Sequence, residues 1–442
     1  MEKDFMVMKL NLTNDNFIFG IISNQKFKFI FYLNYLKKSK LSYCKKCFLM
    51  IKYLLNKKIN IKNYEEAMRF RCSKKDIVKS IGVTENVVEG KVIYNIESNV
   101  LFHLSGNILT LTATDGSVWA RSRIILDDCE GEGIVAIYAK KISSILKEMP
   151  EGMITINVEE NEKINIESEN GRIKHLIIGM KADEFPQYPE GEGNINYIML
   201  PTKELVNMIN KTITSIAKEP FKPALRGICF EKTDSKFLAV ATDGRRMAII
   251  EREFEGIEKG SFSIIVEPKV LNEILVTANY DEVEQVKMGV DGQQVYFQVG
   301  KYDFVSSLIE GKYPNFRQVI PKEFAYSFRV NKNDLLDAIR RIVPMINDVR
   351  SKRMILSVSE ETLKVKGINQ EMGESVEEID IKYSGEDNSV AYNYSYIQDV
   401  IKQIDSEIVT FMVNKDSSPT MIKEIERDDY YFIIMPMSLG DE

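Results

Sequence analysis

Leu109-Thr-Leu-Thr-Ala-Thr-Asp-Gly116 returns 128 residues later as Phe237-Leu-Ala-Val-Ala-Thr-Asp-Gly244. The same offset relates Phe185-Pro186 to Tyr313-Pro314, Lys75-Asp76-Ile77 to Lys203-Glu204-Leu205, and Lys141-Ile142 to Lys269-Val270. A third copy keeps the order. Asn333-Asp334-Leu335 lies 130 residues after Lys203-Glu204-Leu205, Leu363-Lys-Val-Lys 126 after Phe237-Leu-Ala-Val, and Met435-Pro436 122 after Tyr313-Pro314. It carries Gly367-Ile-Asn where the others have Thr-Asp-Gly. A recurrent period of this length settles the architecture before any single element does.

Each copy reads alike. Helical spacing of apolar residues predicts a first helix over Asp76–Ile81, Lys203–Ile213 and Asn333–Val343, and a second over Ala139–Met149, Glu267–Thr277 and Tyr392–Ile404. Alternating strands lie between, as at Asn107–Thr114, Lys236–Thr242 and Thr362–Lys366. Asp-Gly at 115–116 and 243–244 is hairpin-turn chemistry, because glycine accepts positive φ and Asp tolerates it. The expected fold is α+β: three tandem repeats of a two-helix, antiparallel-sheet module. The units are expected at 68–193, 194–321 and 322–442, preceded by an extension over 1–67.

Hydrophobic residues make up 44% of the 442 and charged residues 28%, an ordinary globular balance with enough apolar mass for several cores. No run of 18 apolar residues occurs, and the N-terminus has no signal-peptide pattern. Five cysteines do not make a disulfide framework in a chain this long, and a reducing cytoplasm fits. Cys72, Cys129 and Cys229 sit among apolar neighbours and read as small core residues.

The formal charge of −6 hides a split. Residues 1–67 hold 13 lysines and no arginine against five acids, hence +8; the remainder holds 46 basic and 60 acidic residues, hence −14. Of these first 67 residues, 48 are Phe, Ile, Lys, Leu, Asn or Tyr, a bias that reads as a basic low-complexity extension outside the fold. The rival reading is a basic, aromatic arm for DNA or membrane. Cys44 and Cys47 form a lone pair without the second pair that structural zinc requires, so no metal is expected.

The acidic body sorts its charge. Cations gather on the expected helices and the segments beside them, among them Lys140, Lys141, Lys211, Lys218, Arg340 and Arg341, while acids crowd strand-rich stretches such as Glu159–Glu169. Equivalent helices facing one way would offer a positive surface able to hold a phosphate backbone without reading bases. There is no phosphate-binding Gly-x-x-x-x-Gly-Lys-Ser/Thr, no His-Glu-x-x-His, and two histidines in all. No active site is expected, and no cofactor.

Ala241-Thr-Asp-Gly-Arg-Arg-Met-Ala248, Tyr313-Pro-Asn-Phe-Arg-Gln-Val-Ile-Pro321, Asp183-Glu-Phe-Pro186 and Ile433-Ile-Met-Pro-Met-Ser-Leu439 resemble the bacterial sliding clamp, the beta subunit of the replicative DNA polymerase. The resemblance covers Met68 to Glu442 in one register. It implies a non-catalytic, cytoplasmic, nucleoid-associated DNA clamp: a head-to-tail homodimer closing a ring of six similar domains around duplex DNA. It implies as partners the polymerase catalytic subunit, an ATP-driven clamp loader and other replication and repair proteins, and no membrane. A pocket for partner peptides is implied at Leu225, Thr242, Gly244, Arg245, Arg246, Met247, Pro314, Val319, Ile433, Met435, Pro436 and Met437. Lys91, Lys218 and Lys222 fall in loops the family turns toward DNA. Met345 and Ile346, facing Ile173 and His175 of a partner, are the implied dimer contact. The alternatives are a peptide-binding scaffold that never encircles DNA and a hydrolase with an unrecognised site.

Overall fold

Residues 1–65 and 66–442 form two compact bodies. The computed structural model describes residues 6–12, 16–23 and 26–29 by their backbone. It describes 68–439 apart from short stretches at 89–94, 160, 192–194, 220–221, 255–259, 281, 348–351, 384, 415–417 and 426. In the first body β1 (Met6–Leu12), β2 (Asn16–Ser23) and β3 (Lys26–Phe29) pair antiparallel in that order. Composition alone assigned this segment no element. The strands fall where β-branched and aromatic residues concentrate, as in Asn16-Phe-Ile-Phe-Gly-Ile-Ile-Ser23. Cys44 and Cys47 lie outside the described residues.

The second body repeats one pattern, a strand, a helix and three or four strands, twice per unit. The first unit runs β4 (Met68–Ser73), α1 (Lys74–Val87), β5 (Asn99–Ser105), β6 (Ile108–Thr114), β7 (Val118–Ile125) and a short β8 (Asp128–Glu130). It continues with β9 (Gly133–Tyr138), α2 (Ala139–Glu148), β10 (Met153–Val158), β11 (Lys163–Ser168) and β12 (Lys174–Ile178). The second runs β13 (Tyr197–Pro201), α3 (Thr202–Ile213), β14 (Ile228–Thr233), β15 (Lys236–Thr242), β16 (Arg246–Glu253), then β17 (Phe262–Val266), α4 (Pro268–Ala278), β18 (Gln285–Asp291), β19 (Gln294–Val299) and β20 (Tyr302–Ser307). The third runs β21 (Tyr326–Asn331), α5 (Lys332–Ile346), β22 (Arg353–Ser359), β23 (Thr362–Asn369), β24 (Gly373–Asp380), then β25 (Asn388–Asn393), α6 (Tyr394–Lys402), β26 (Ile408–Val413), β27 (Thr420–Glu424) and β28 (Tyr430–Ile434).

Local chemistry starts these helices. Ser73 Oγ accepts from the Asp76 N–H before α1, Asn331 Oδ1 accepts from Asn333 and Asp334 before α5, and Pro268 opens α4 with the φ a first turn needs. Pro344 sits inside α5, which nevertheless runs on to Ile346.

Two eight-stranded sheets cross the unit boundaries. In one, the last strand of the second unit, β20, pairs antiparallel with β7 of the first. In the other, the last strand of the third unit, β28, pairs with β16 of the second. The ends of the chain's second body carry smaller sheets, ordered β12-β11-β10-β4-β8 and β24-β23-β22-β25. The sheets bury both faces at the boundaries. Phe237, Ala239, Ala241, Ala248 and Ile250 point to the helix side, whereas Leu238, Val240, Met247 and Ile249 point away from it into a separate cluster. The period-2 alternation of β15 and β16 thus serves two cores at once.

Candidate functional site

The outer cluster at the boundary of units two and three is built by the motif residues themselves. In the turn between β15 and β16, Asp243 Oδ1 accepts from the backbone N–H of Arg245 and Arg246, Thr242 Oγ1 accepts from Gly244 N–H, and Gly244 takes φ 86°. An Asp side chain and a left-handed glycine fold this tight turn together. The turn hands over to the third unit: Met247 stands opposite Ile433, and Met435 N–H donates to the Arg245 carbonyl at 2.9 Å. Around them pack Cys229, Val240, Phe316 and Tyr313.

The twelve pocket positions therefore divide. Thr242, Met247, Leu225 and Ile433 are buried, while Gly244, Arg245, Pro314, Val319 and Met435 are exposed and Pro436 and Met437 half-buried. Val319 at 51% and Met435 at 41% exposed leave apolar surface open beside the sealed cluster. Arg246 is buried at the joint between the units. It is 7% exposed, and its guanidinium donates to Asp243 Oδ2 (3.2 Å), to Asp399 Oδ2 of α6 (2.7 Å) and to the Thr214 carbonyl (2.6 Å), stacked over the Tyr396 ring. With every nitrogen engaged it ties unit two to unit three. Sequence reading missed as site residues Tyr396, which it placed only in the third repeat copy, Asp399, and also Phe316 and Tyr313, which stand inside the Tyr313–Pro321 motif.

Two expectations are overturned by burial. Lys211 cannot face DNA: it is 2% exposed, and its ammonium donates to the Gln403 carbonyl (2.6 Å) and pairs with Asp405 (2.8 Å) and Glu424 (3.4 Å). Ile346 cannot face a partner: α5 continues through Pro344 and buries it to 1%, against Gly367, where a Cβ would lie 2.8 Å from Ile346 Cγ2. Met345 is half-buried on the same core. Ile173, 39% exposed, immediately precedes β12, the strand that carries His175, half-buried. Of the other cations, Lys140, Lys141, Lys218 and Lys222 are exposed. Arg340 pairs with Asp337 at 3.2 Å and Arg341 with Glu377 through two nitrogens. Lys91 lies outside the described residues.

The candidate reactive groups among the described residues are held away from their reactive forms. Asp115, despite partial burial, is held below the usual carboxylate range by Lys269 and the backbone N–H groups of Ser117 and Val118. Burial pushes the thiols of Cys72 and Cys229 up to about 12 and about 11, away from thiolate reactivity. Cys129 is half-buried and packs against the first unit's core, with its Sγ 3.4 Å from the Gly106 carbonyl. No His/Cys/Asp/Glu group among the described residues could hold a metal, and no described helix is long and apolar enough to cross a membrane.

Three family models match in chain order: the DNA polymerase III beta subunit N-terminal domain over residues 68–189, the central domain over 199–315 and the C-terminal domain over 317–438. The chain belongs to the DNA polymerase III beta subunit family. Its function is that of a sliding-clamp processivity factor, a non-catalytic accessory of the polymerase; the reading as a mere scaffold is not favoured. The beta sliding clamp of Treponema pallidum is 29% identical over 374 residues, covering 84% of this chain and 99% of the relative. That of Pseudomonas aeruginosa is 28% identical over 375 residues, covering 84% and 100%. The solved Pseudomonas aeruginosa DnaN sliding clamp bound to griselimycin superposes with a TM-score of 0.79 at 27% identity, over 84% of this chain and all of that one. A putative beta subunit from Eubacterium rectale gives 0.77 at 28%, over 84% and 99%. The beta-subunit matches begin at Met68, where β4 begins.

Proposed function

We propose that two copies of this chain join head to tail into a ring that encircles duplex DNA, and that partner peptides dock at the boundary of units two and three. One observation carries the ring. Within the chain, each boundary is made by the fourth strand of one unit (β7, β16) pairing with the last strand of the next (β20, β28). The third unit's β24 and the first unit's β12 are the strands left at sheet edges in those two roles. A heterologous contact of one kind, repeated, closes a ring when its rotation allows.

The edges complement one another. On β24 the outward residues Glu374, Val376 and Glu378 alternate with the half-buried Ser375 and Glu377; on β12 the exposed Lys174, Leu176 and Ile178 alternate with His175 and Ile177. Matching outward to outward and inward to inward sets Val376 against Leu176, Glu378 against Lys174, and Glu377 against His175. Each such cross-strand pair contributes roughly 0.2–1 kcal/mol. Exposed Lys140, Lys141, Lys218, Lys222 and Arg340 supply the cations for a backbone-only grip on DNA. At the docking surface Val319, Met435 and Met437 offer an adaptable apolar groove for short peptides of the polymerase, the clamp loader and repair proteins. The setting is the cytoplasm, on the nucleoid.

The test is sedimentation together with retention on DNA. Val376→Asp places a carboxylate against Leu176 and is expected to give monomers at concentrations where the parent is dimeric. The parent, once loaded, should stay on closed circular DNA and be lost when the circle is cut. A dimer that survives Val376→Asp would refute the strand pairing, and equal retention on both DNA forms would refute encirclement.

A further inference from the structure

A cleft of about 630 Å³ opens on the second unit, on the far side of the Tyr313–Phe316 wall from the Met247–Ile433 cluster. Ile265, 4% exposed, lines it together with Ile309, while the neighbouring Ile264 and Leu308 turn their side chains to the helix-side core. Its rim carries exposed Lys312 and the Arg317–Glu231 ion pair, 2.7 Å apart. β17 is the outer strand of its sheet, with β14 on one side and, on the other, a single bridge from Val266 to Leu308.

The backbone along that edge is half used. Ile309 N–H donates to the Ile265 carbonyl at 2.9 Å, so residue 265 directs its polar groups outward, and strand alternation directs those of Ser263 the same way. The residue due opposite Ser263 is Gly311, whose φ of 118° turns the chain off the edge. Among the described residues the outward N–H and C=O of Ser263 have no backbone partner. An open strand edge above an apolar floor is the arrangement that accepts an added strand.

We propose that this cleft is a second lobe of the partner site, in which an extended stretch of the docked peptide adds as a short strand to β17, pairing with the Ser263 backbone. The inference rests on the docking reading above. The occupant is a peptide with an aliphatic side chain for Ile265 and Ile309 beside an acidic one for Lys312, since Glu231 is already neutralised by Arg317. The 313–316 wall is common to cleft and cluster, so one peptide crossing Pro314 reaches both. The volume lies within the range of ordinary ligand sites.

The test uses the full-length protein and synthetic 20-residue peptides tiling the cognate polymerase catalytic subunit. The tightest binder is compared with versions truncated from each end. Lys312→Glu is expected to weaken the full peptide about tenfold and to leave unchanged the truncation that has lost its cleft-side residues. Hydrogen exchange on the unaltered protein should show the Ser263 amide protected by the full peptide and not by that truncation. Unchanged Ser263 exchange, or equal loss for both peptides with Lys312→Glu, overturns the second lobe. Met247→Glu separates the two readings: if it spares both peptides, the docking site itself is misassigned, whatever Ser263 does.

Discussion

Lys211 and Lys141 are both helix lysines of a DNA clamp, and their surroundings give them opposite duties. The Lys211 ammonium sits 4.4 Å from the Tyr430 ring centroid, between a carbonyl and two carboxylates, one of which, on Glu424, is itself buried. Removing one partner of such a buried pair leaves the other uncompensated, at a cost of about 3–5 kcal/mol. Lys211→Met is therefore expected to lower the denaturant midpoint strongly while leaving the salt dependence of DNA retention as it was. Lys140→Gln with Lys141→Gln should do the reverse. Stability would hold, and the log–log salt slope would flatten by about 0.9 for each phosphate no longer neutralised. Salt titrations and urea melts on both variants check the pair of claims; matching behaviour would place the two sites in one environment after all. Gly367 makes a third case. A Cβ there would meet Ile342 Cγ2 at 2.6 Å and Ile346 Cγ2 at 2.8 Å, so Gly367→Ala forces α5 off β23. Overpacking of this kind costs about 1–3 kcal/mol, readable as a lowered melting temperature.

Where α1 and α4 meet, at the boundary of units one and two, Glu273 is buried with the Asn86 amide 3.2 Å away and Lys269 on its own helix. Burial outweighs the Asn86 hydrogen bond and Lys269, and pushes its carboxyl up to about 7 from the usual 4.5. The folded protein then holds a proton that the unfolded chain has released between those values. Stability should fall as pH rises from about 4.5 to about 7 and level off above, by about 3 kcal/mol in all. Glu273→Gln should flatten that part of the curve; thermal melts between pH 5 and 8 decide it, and an unaltered slope would locate the proton elsewhere. The same element shows what was legible in the sequence. The six helices among the described residues were readable from 3.6-residue spacing, and the Thr-Asp-Gly turns from their own chemistry. The end of α5 was not readable, because Pro344 signals a stop that the last turn overrides, and that concealed the burial of Ile346. The partners of Arg246 and Lys211 were illegible for another reason: Asp399, Asp405 and Glu424 lie 150 to 215 residues downstream, and no local pattern marks which carboxylate closes on which cation.

At the scale of the whole chain, residues 1–65 form a body of their own, and solved beta subunits match 84% of this chain while being covered in full or nearly so themselves. Deleting 1–65 is expected to leave the melting temperature of the remainder, its dimerisation and its loading unchanged, since β4–β28 lose no strand. A destabilised or unloadable product would give those residues a part in the clamp. The handing of a strand from each unit to the sheet of the one before has a wider bearing. Two of the joints in the proposed ring half are internal to the polypeptide and one lies between polypeptides, yet all three would use the same kind of ladder. What would set one joint of the proposed ring apart is then only that no covalent link spans it. A circularly permuted gene that begins at Tyr197 and joins Leu439 to Met68 through a linker would move that unlinked joint to the boundary of units one and two, and weld shut the seam that nature left open.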